Sequence, residues 1–143
     1  MNHQIKKILI FLISLLIFGC SATKLSYEPQ EYKSVDHSIE VLKTCLKYQS
    51  PNHKVKSIEI KHDFFKIIDG PNNRTSYIHF DFIGNIEFHE KDQWKIVTIR
   101  GLDRTILYRL YVKSDEIAKN FIDAVYTLMI NYRVSDPKLI NEK

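Results

Sequence analysis

Histidines beside carboxylates are the first groups in this chain whose types and spacing could do chemistry. His79 and Asp81 lie two apart, which on a strand sets an imidazole and a carboxylate on one face, and His62-Asp63 and His89-Glu90 add more groups of the kind that bind zinc. A zinc site needs three or four such groups converging at about 2 Å from one point, and nothing in this spacing makes these pairs converge. Strand alternation alone puts them on the solvated side of a half-buried sheet, so no metal and no cofactor is expected. Acyl transfer would call for a Ser in a tight Gly-x-Ser-x-Gly turn, which is absent. Beyond residue 19 the only glycines are Gly70, Gly84 and Gly101, too scattered to cradle a phosphate. No residue receives a catalytic role, and a metal-dependent enzyme ranks third among the functions considered.

Recognition is the other chemistry the side chains could supply. Arg100, Arg104 and Arg109 cluster around one hairpin with Trp94, Tyr108 and Tyr111 nearby. Arg and aromatic residues dominate interface hot spots, so the six form a possible patch for an anionic partner. Asp103, Asp92 and Glu90 lie in the same stretch, and an ordinary hairpin balanced by them is the favoured reading.

The elements that must position these groups follow from hydrophobic periodicity. Residues 21–33 are polar, carry Pro29 and show no period, so 20–33 read as a tether. A globular domain is expected over 34–133. Val35, Ile39, Leu42 and Leu46 recur at helical spacing, Ser34 can cap the start and Ser50-Pro51-Asn52 stops the run, predicting a helix over 34–49. Strands are expected over 54–112. Val55 to Ile60 and Phe64 to Ile68 break near His62-Asp63, and the turn signal Asp69-Gly70-Pro71-Asn72-Asn73 follows. From Tyr77 to Phe82 the alternation predicts a strand with Ile78, Phe80 and Phe82 on one face and Tyr77, His79 and Asp81 on the other. Ile86 to Phe88 resumes it, and Trp94 to Ile99 and Ile106 to Val112 complete about six short strands whose brief connections imply antiparallel pairing. Ser114 then caps a helix over 114–132 with Ile117, Phe121, Ala124, Val125, Leu128 and Tyr132 on its apolar stripe, and 134–143 reads as a flexible tail.

The N-terminus carries an address. Lys6-Lys7 precedes an apolar run from Ile8 to Phe18 that ends at Gly19-Cys20, the layout of a secretory signal and too short for a stable membrane span. Ile17-Phe18-Gly19-Cys20 resembles the bacterial lipobox, departing from it only at Phe18, where a smaller residue is commoner. The resemblance implies cleavage after residue 19 and a lipid-modified Cys20, carrying a diacylglyceryl group on sulfur and an acyl chain such as palmitate on the freed amine. Two or three chains make a firm anchor, since each buried methylene contributes about 0.8 kcal/mol. An ordinary cleaved signal with an incidental Cys is the alternative. Ser21 resembles the sorting residue of outer-membrane lipoproteins, which implies the periplasmic face of the outer membrane in a cell with two membranes.

Loss of Lys6 and Lys7 with the signal leaves 19 Lys and Arg against 17 Asp and Glu, a net charge of +2 in place of +4. That weak balance removes most of the case for a nucleic-acid partner. With Cys20 lipidated, Cys45 is the one remaining thiol and no internal disulfide can form. Its helical setting favours a buried, inert thiol over an exposed one that pairs with a partner.

The residues Phe80-Asp81-Phe82-Ile83-Gly84-Asn85-Ile86-Glu87-Phe88, together with Tyr111 to Ala118 where the last strand enters the helix, resemble the pleckstrin-homology-like superfamily over about residues 54 to 132. The resemblance implies an α+β fold: an antiparallel, partly open barrel or bent sheet closed by a C-terminal amphipathic helix, with the helix at 34–49 an addition. It also implies a domain that binds peptides, proteins or lipid headgroups and rarely catalyses. The phosphoinositide site of that family needs a Lys and Arg cluster between the first two strands. Here Lys61-His62-Asp63 stands in that place, so the lipid-binding role is not carried over. The expectation is an envelope lipoprotein, held to the membrane by the lipid on Cys20, with a non-catalytic domain for an envelope protein partner. A carrier of a small apolar ligand or lipid is the alternative.

Overall fold

Two amphipathic stretches become helices because each presents one apolar stripe and a Ser that caps its first turn. In the computed structural model, which describes residues 21–134, α1 spans Val35–Lys47 and α2 spans Asp115–Val134. The Ser34 hydroxyl accepts the His37 N–H at 3.3 Å, and the Ser114 hydroxyl accepts the Ile117 N–H at 3.2 Å. Pro51 opens a 3₁₀ turn over Pro51–His53 just beyond α1, since it cannot continue a helix. The two helices pack along each other. Cys45 is 3% exposed on the α1 side of that contact, and burial pushes its thiol up to about 12. Residues 1–19, where a cleaved signal is expected, Cys20 and residues 135–143 lie outside the described residues.

Seven strands, all paired antiparallel, make two sheets. β2 (Val55–Ile60), β3 (Phe64–Asp69) and β4 (Thr75–His79) form one, in the order β2-β3-β4. β1 (Thr23–Lys24), β5 (Ile83–Lys91), β6 (Trp94–Gly101) and β7 (Ile106–Val112) form the other, in the order β1-β5-β6-β7. The sheets do not close into a barrel. α2 lies across the inner face of β5, β6 and β7 and against the corner between the sheets. Alternation puts Phe65 and Ile67 of β3, Val97 and Ile99 of β6, and Leu110 and Val112 of β7 inward, where they meet Phe121, Val125 and Leu128 of α2 and Leu42 and Leu46 of α1. Gly84 and Gly101 meet at the end of the β5–β6 pair away from its hairpin, and a Cβ on Gly84 would stand 2.8 Å from the Gly101 carbonyl oxygen. The α+β class, the antiparallel strands and both helices are therefore as the sequence pattern predicts.

Two segments differ from expectation. The alternation from Tyr77 to Phe82 predicts one strand, but β4 ends at His79 and Phe80–Phe82 is a 3₁₀ turn. The chain must turn there to pass from one sheet to the next. Phe80 is fully buried against Phe65 and Tyr132 with its N–H donated to the Asp63 carbonyl at 3.0 Å, and Ile83 is buried three residues on. Phe82, expected inside with Phe80, is consequently turned out and 60% exposed.

Residues 21–33, expected to be a tether, are packed on the domain. Thr23 and Lys24 pair with Glu90 and His89, adding β1 to the sheet edge. The chain then runs along α2, where Asp123 is 5% exposed and acts as a clamp. Its carboxylate accepts the Tyr27 hydroxyl at 2.9 Å and the Gln30 N–H at 2.8 Å, and Thr127 accepts the Tyr32 N–H at 2.9 Å. Leu25, Tyr27 and Tyr32 pack against the core, so three unperiodic apolar side chains supply burial that a solvated tether would lack.

Candidate functional site

The outward face of the four-stranded sheet gathers charge of one sign. Register aligns Glu87, Thr98 and Arg109 across β5, β6 and β7, then His89, Ile96 and Tyr111, then Lys91 and Trp94, with Lys24 of β1 beside His89. These side chains share a face because strand neighbours in register point the same way. α2 covers the opposite face. Lys24, Lys91, Arg100, Arg109 and Lys113 stand on the open side against Glu87 alone, with Asp92 at the hairpin tip on the rim. Arg100 Nε meets Glu87 Oε2 at 2.8 Å, and Lys113 Nζ sits 5.4 Å from the centre of the Trp94 ring. Lys24, Lys91 and Arg109 make no ion pair among the described residues. A shallow depression of about 420 Å³ lies in this face, with Ala22, Glu87, His89, Arg100, Arg109 and Tyr111 on its walls.

Of the six patch residues expected from the sequence, the sheet brings Trp94, Arg100, Arg109 and Tyr111 to this face, with Trp94 and Arg100 at opposite ends of β6. Arg104 stands apart on the β6–β7 turn at φ 67°, its carbonyl accepting Arg100 Nη1 at 3.1 Å. Tyr108 points the other way. It lies opposite Ile99 on the inner side near Phe121, its hydroxyl accepting Gln49 Nε2 at 2.6 Å, and burial raises its pKa. Gln49 and Ser50 also cap the free edge of β7: the Tyr111 N–H donates to Gln49 Oε1 at 3.2 Å and the Tyr111 carbonyl accepts the Ser50 N–H at 2.8 Å. His53 stacks on the Tyr111 ring at 4.4 Å.

Between β7 and the three-stranded sheet is a cleft of about 230 Å³ with Gln49, His53, Asp69, Arg74, Ser76 and Arg109 among its walls. Asp69 Oδ1 is buried there with no hydrogen-bond partner among the described residues. Phe65, Phe80, Phe121 and Leu128 are fully buried between α2 and the sheets.

The outward face of the three-stranded sheet is aromatic. Phe64 pairs with His79 and Lys66 with Tyr77 across β3 and β4. Phe64 lies 5.7 Å from Tyr77 and 5.3 Å from His79, and His79 lies 6.0 Å from Phe82, so the rings form a continuous run. Lys61 and Lys66 stand over the Phe64 and Tyr77 rings at 5.6 Å each. The Leu102 N–H donates to the Phe82 carbonyl at 3.0 Å, which brings the β6–β7 turn to the end of this run. Tyr77, Phe82 and Leu102 are 55%, 60% and 67% exposed, with Phe64 and His79 standing between Tyr77 and Phe82 along the run. Sequence reasoning misses this surface because it assigns Phe82 to the core. The adjacent apolar pair Phe82-Ile83 ahead of Gly84 is the signal that alternation breaks there.

The 3₁₀ turn separates His79 from Asp81, so the two no longer share a strand face. Among the described residues no three His, Cys, Asp or Glu side chains gather around one point, and no helix is long and apolar enough to cross a membrane. Cys20 lies outside the described residues. Comparison of the chain with protein-family models, with curated proteins and with solved structures finds no match.

Proposed function

We propose that this chain is an envelope lipoprotein, anchored through lipid on Cys20, whose domain holds an envelope protein partner without catalysing a reaction. The observation that carries the partner is the exposed run of Tyr77 and Phe82, with Leu102 at its end, backed by Phe64 and His79. Large apolar side chains exposed along and beside one run of rings mark an interaction surface, and aromatic anchors of this kind carry most of the energy of protein interfaces. The pleckstrin-homology-like reading of the fold rests on the sequence pattern, with α1 and β1 as additions. Ile17-Phe18-Gly19-Cys20 supports the anchor, and Ser21 the outer membrane in a cell that has two.

A photo-crosslinking residue in place of Tyr77, in the full chain in its own cell envelope, is expected to capture a discrete protein. Phe82→Ala with Leu102→Ser should remove that product while leaving the protein folded, since truncating one anchor weakens an interface by about 2 kcal/mol, on the order of thirtyfold. Cys20→Ser should abolish labelling by palmitate. An undiminished product in the double variant would sink the partner surface, and labelling unchanged in Cys20→Ser would sink the anchor.

A further inference from the structure

We propose that the outward face of the four-stranded sheet lies on an anionic bilayer surface, a docking that rests on the reading of Cys20 as the lipid anchor. Three observations converge on it. The first is reach. β1 begins at Thr23 and Ala22 already lines the depression in this face, so Cys20 stands only two residues from it in sequence. At no more than about 3.6 Å per residue, two residues cannot carry the face more than roughly 7 Å from the anchored residue. Residues that could have formed a long tether are instead bonded to α2 through Asp123 and Thr127. A lipid on Cys20 would thus hold this sheet at the bilayer.

The second is charge. Lys24, Lys91, Arg100, Arg109 and Lys113 share the face with one carboxylate, Glu87, although the mature chain as a whole is close to balanced. Lys24, Lys91 and Arg109 have no carboxylate partner among the described residues. A negatively charged lipid surface is complementary to such a face, and each cation within a Debye length of it favours contact by roughly fivefold. The third is Trp94, partly buried at the end of the face nearest the start of β1, with Lys113 on its ring. An indole flanked by lysines suits the headgroup layer, where its apolar body and polar edge are both accommodated. Because both sheets turn their inner faces to one core, docking in this way leaves the aromatic run of the other sheet free to meet a protein.

Trp94 is the only tryptophan in the chain, so its fluorescence reports this face alone. The full lipidated protein is reconstituted in phosphatidylcholine vesicles with and without phosphatidylglycerol. With phosphatidylglycerol, Trp94 emission is expected to shift to the blue, to be quenched by brominated acyl chains and to be shielded from acrylamide; added salt should reverse all three. Lys91→Gln with Arg109→Gln, at two exposed residues without ion pairs, should lower the docked-to-undocked ratio by roughly thirtyfold while the vesicles retain the protein. Trp94 equally open to acrylamide in both vesicle types overturns the docking, as does protection by an added acidic polypeptide but not by lipid. The mass of the N-terminal peptide separates this failure from that of the anchor: an acylated peptide with an indifferent Trp94 defeats the docking alone, and an unacylated peptide defeats both.

Discussion

Asp123 does more at the scale of one residue than any other side chain described. A carboxylate at 5% exposure needs partners, and it finds them in the Tyr27 hydroxyl and the Gln30 N–H, nearly a hundred positions earlier in the chain. Asp123→Ala removes the acceptor and leaves both donors partly buried. It should lower stability by about 2 kcal/mol and open residues 21–33 to proteolysis, read by chemical denaturation and limited digestion. The clamp also has a pH signature. Burial first, and then the hydrogen bond and charge of Asp123, push the Tyr27 hydroxyl up to about 12 from its ordinary 10.0. The folded pKa lies above the unfolded one, so the neutral phenol stabilises the fold fully below pH 10.0 and this contribution is lost as pH rises towards about 12. Tyr27→Phe should remain less sensitive than the parent to alkaline unfolding over that window.

Among the elements, α2 is the one to which everything else is fitted. It meets α1, the inner side of β5 to β7, the corner at Phe80–Phe82 and the packed N-terminal segment. Its start is secured by the Ser114 hydroxyl and by Asp115 and Glu116 in the first turn, where the helix dipole favours negative charge. Ser114→Ala should therefore cost about 1 kcal/mol, seen as a lower thermal midpoint with unchanged vesicle behaviour of Trp94. β4 shows the opposite dependence. Its pattern from Tyr77 to Phe82 is a good strand by itself, yet the chain must cross from one sheet to the other at Phe80, and the need to bury both Phe80 and Ile83 overrules local alternation.

The whole molecule has two outward sheet faces of different character around one core. One carries five cations against one carboxylate, the other a run of rings from Tyr77 to Phe82. Under the proposed anchoring at Cys20 the two would be related, because a bilayer contact on the first would leave the second for a protein. The short β1 sets that relation, since it removes the slack which a free tether would give. Both faces drew on residues visible as types in the sequence. Arg100, Arg109, Trp94 and Tyr111 stood out by kind and proximity, whereas Lys24 and Lys91 did not, because what joins them to the group is register between strands.

The two helices, their caps, the antiparallel run of strands and the class of the fold are legible in the chain, because each rests on spacing within about twenty residues. So is the lipobox-like segment ending at Cys20. Contacts between distant segments set the rest: residues 21–33 pack, Phe82 faces water, Tyr108 points inward and the cations converge on one face. Each of those depends on a partner far along the chain: Asp123 for Tyr27, Phe65 and Tyr132 for Phe80, Gln49 for Tyr108, and His89 for Lys24. Local spacing encodes how a segment curls, and burial against distant segments settles which way its side chains end up facing.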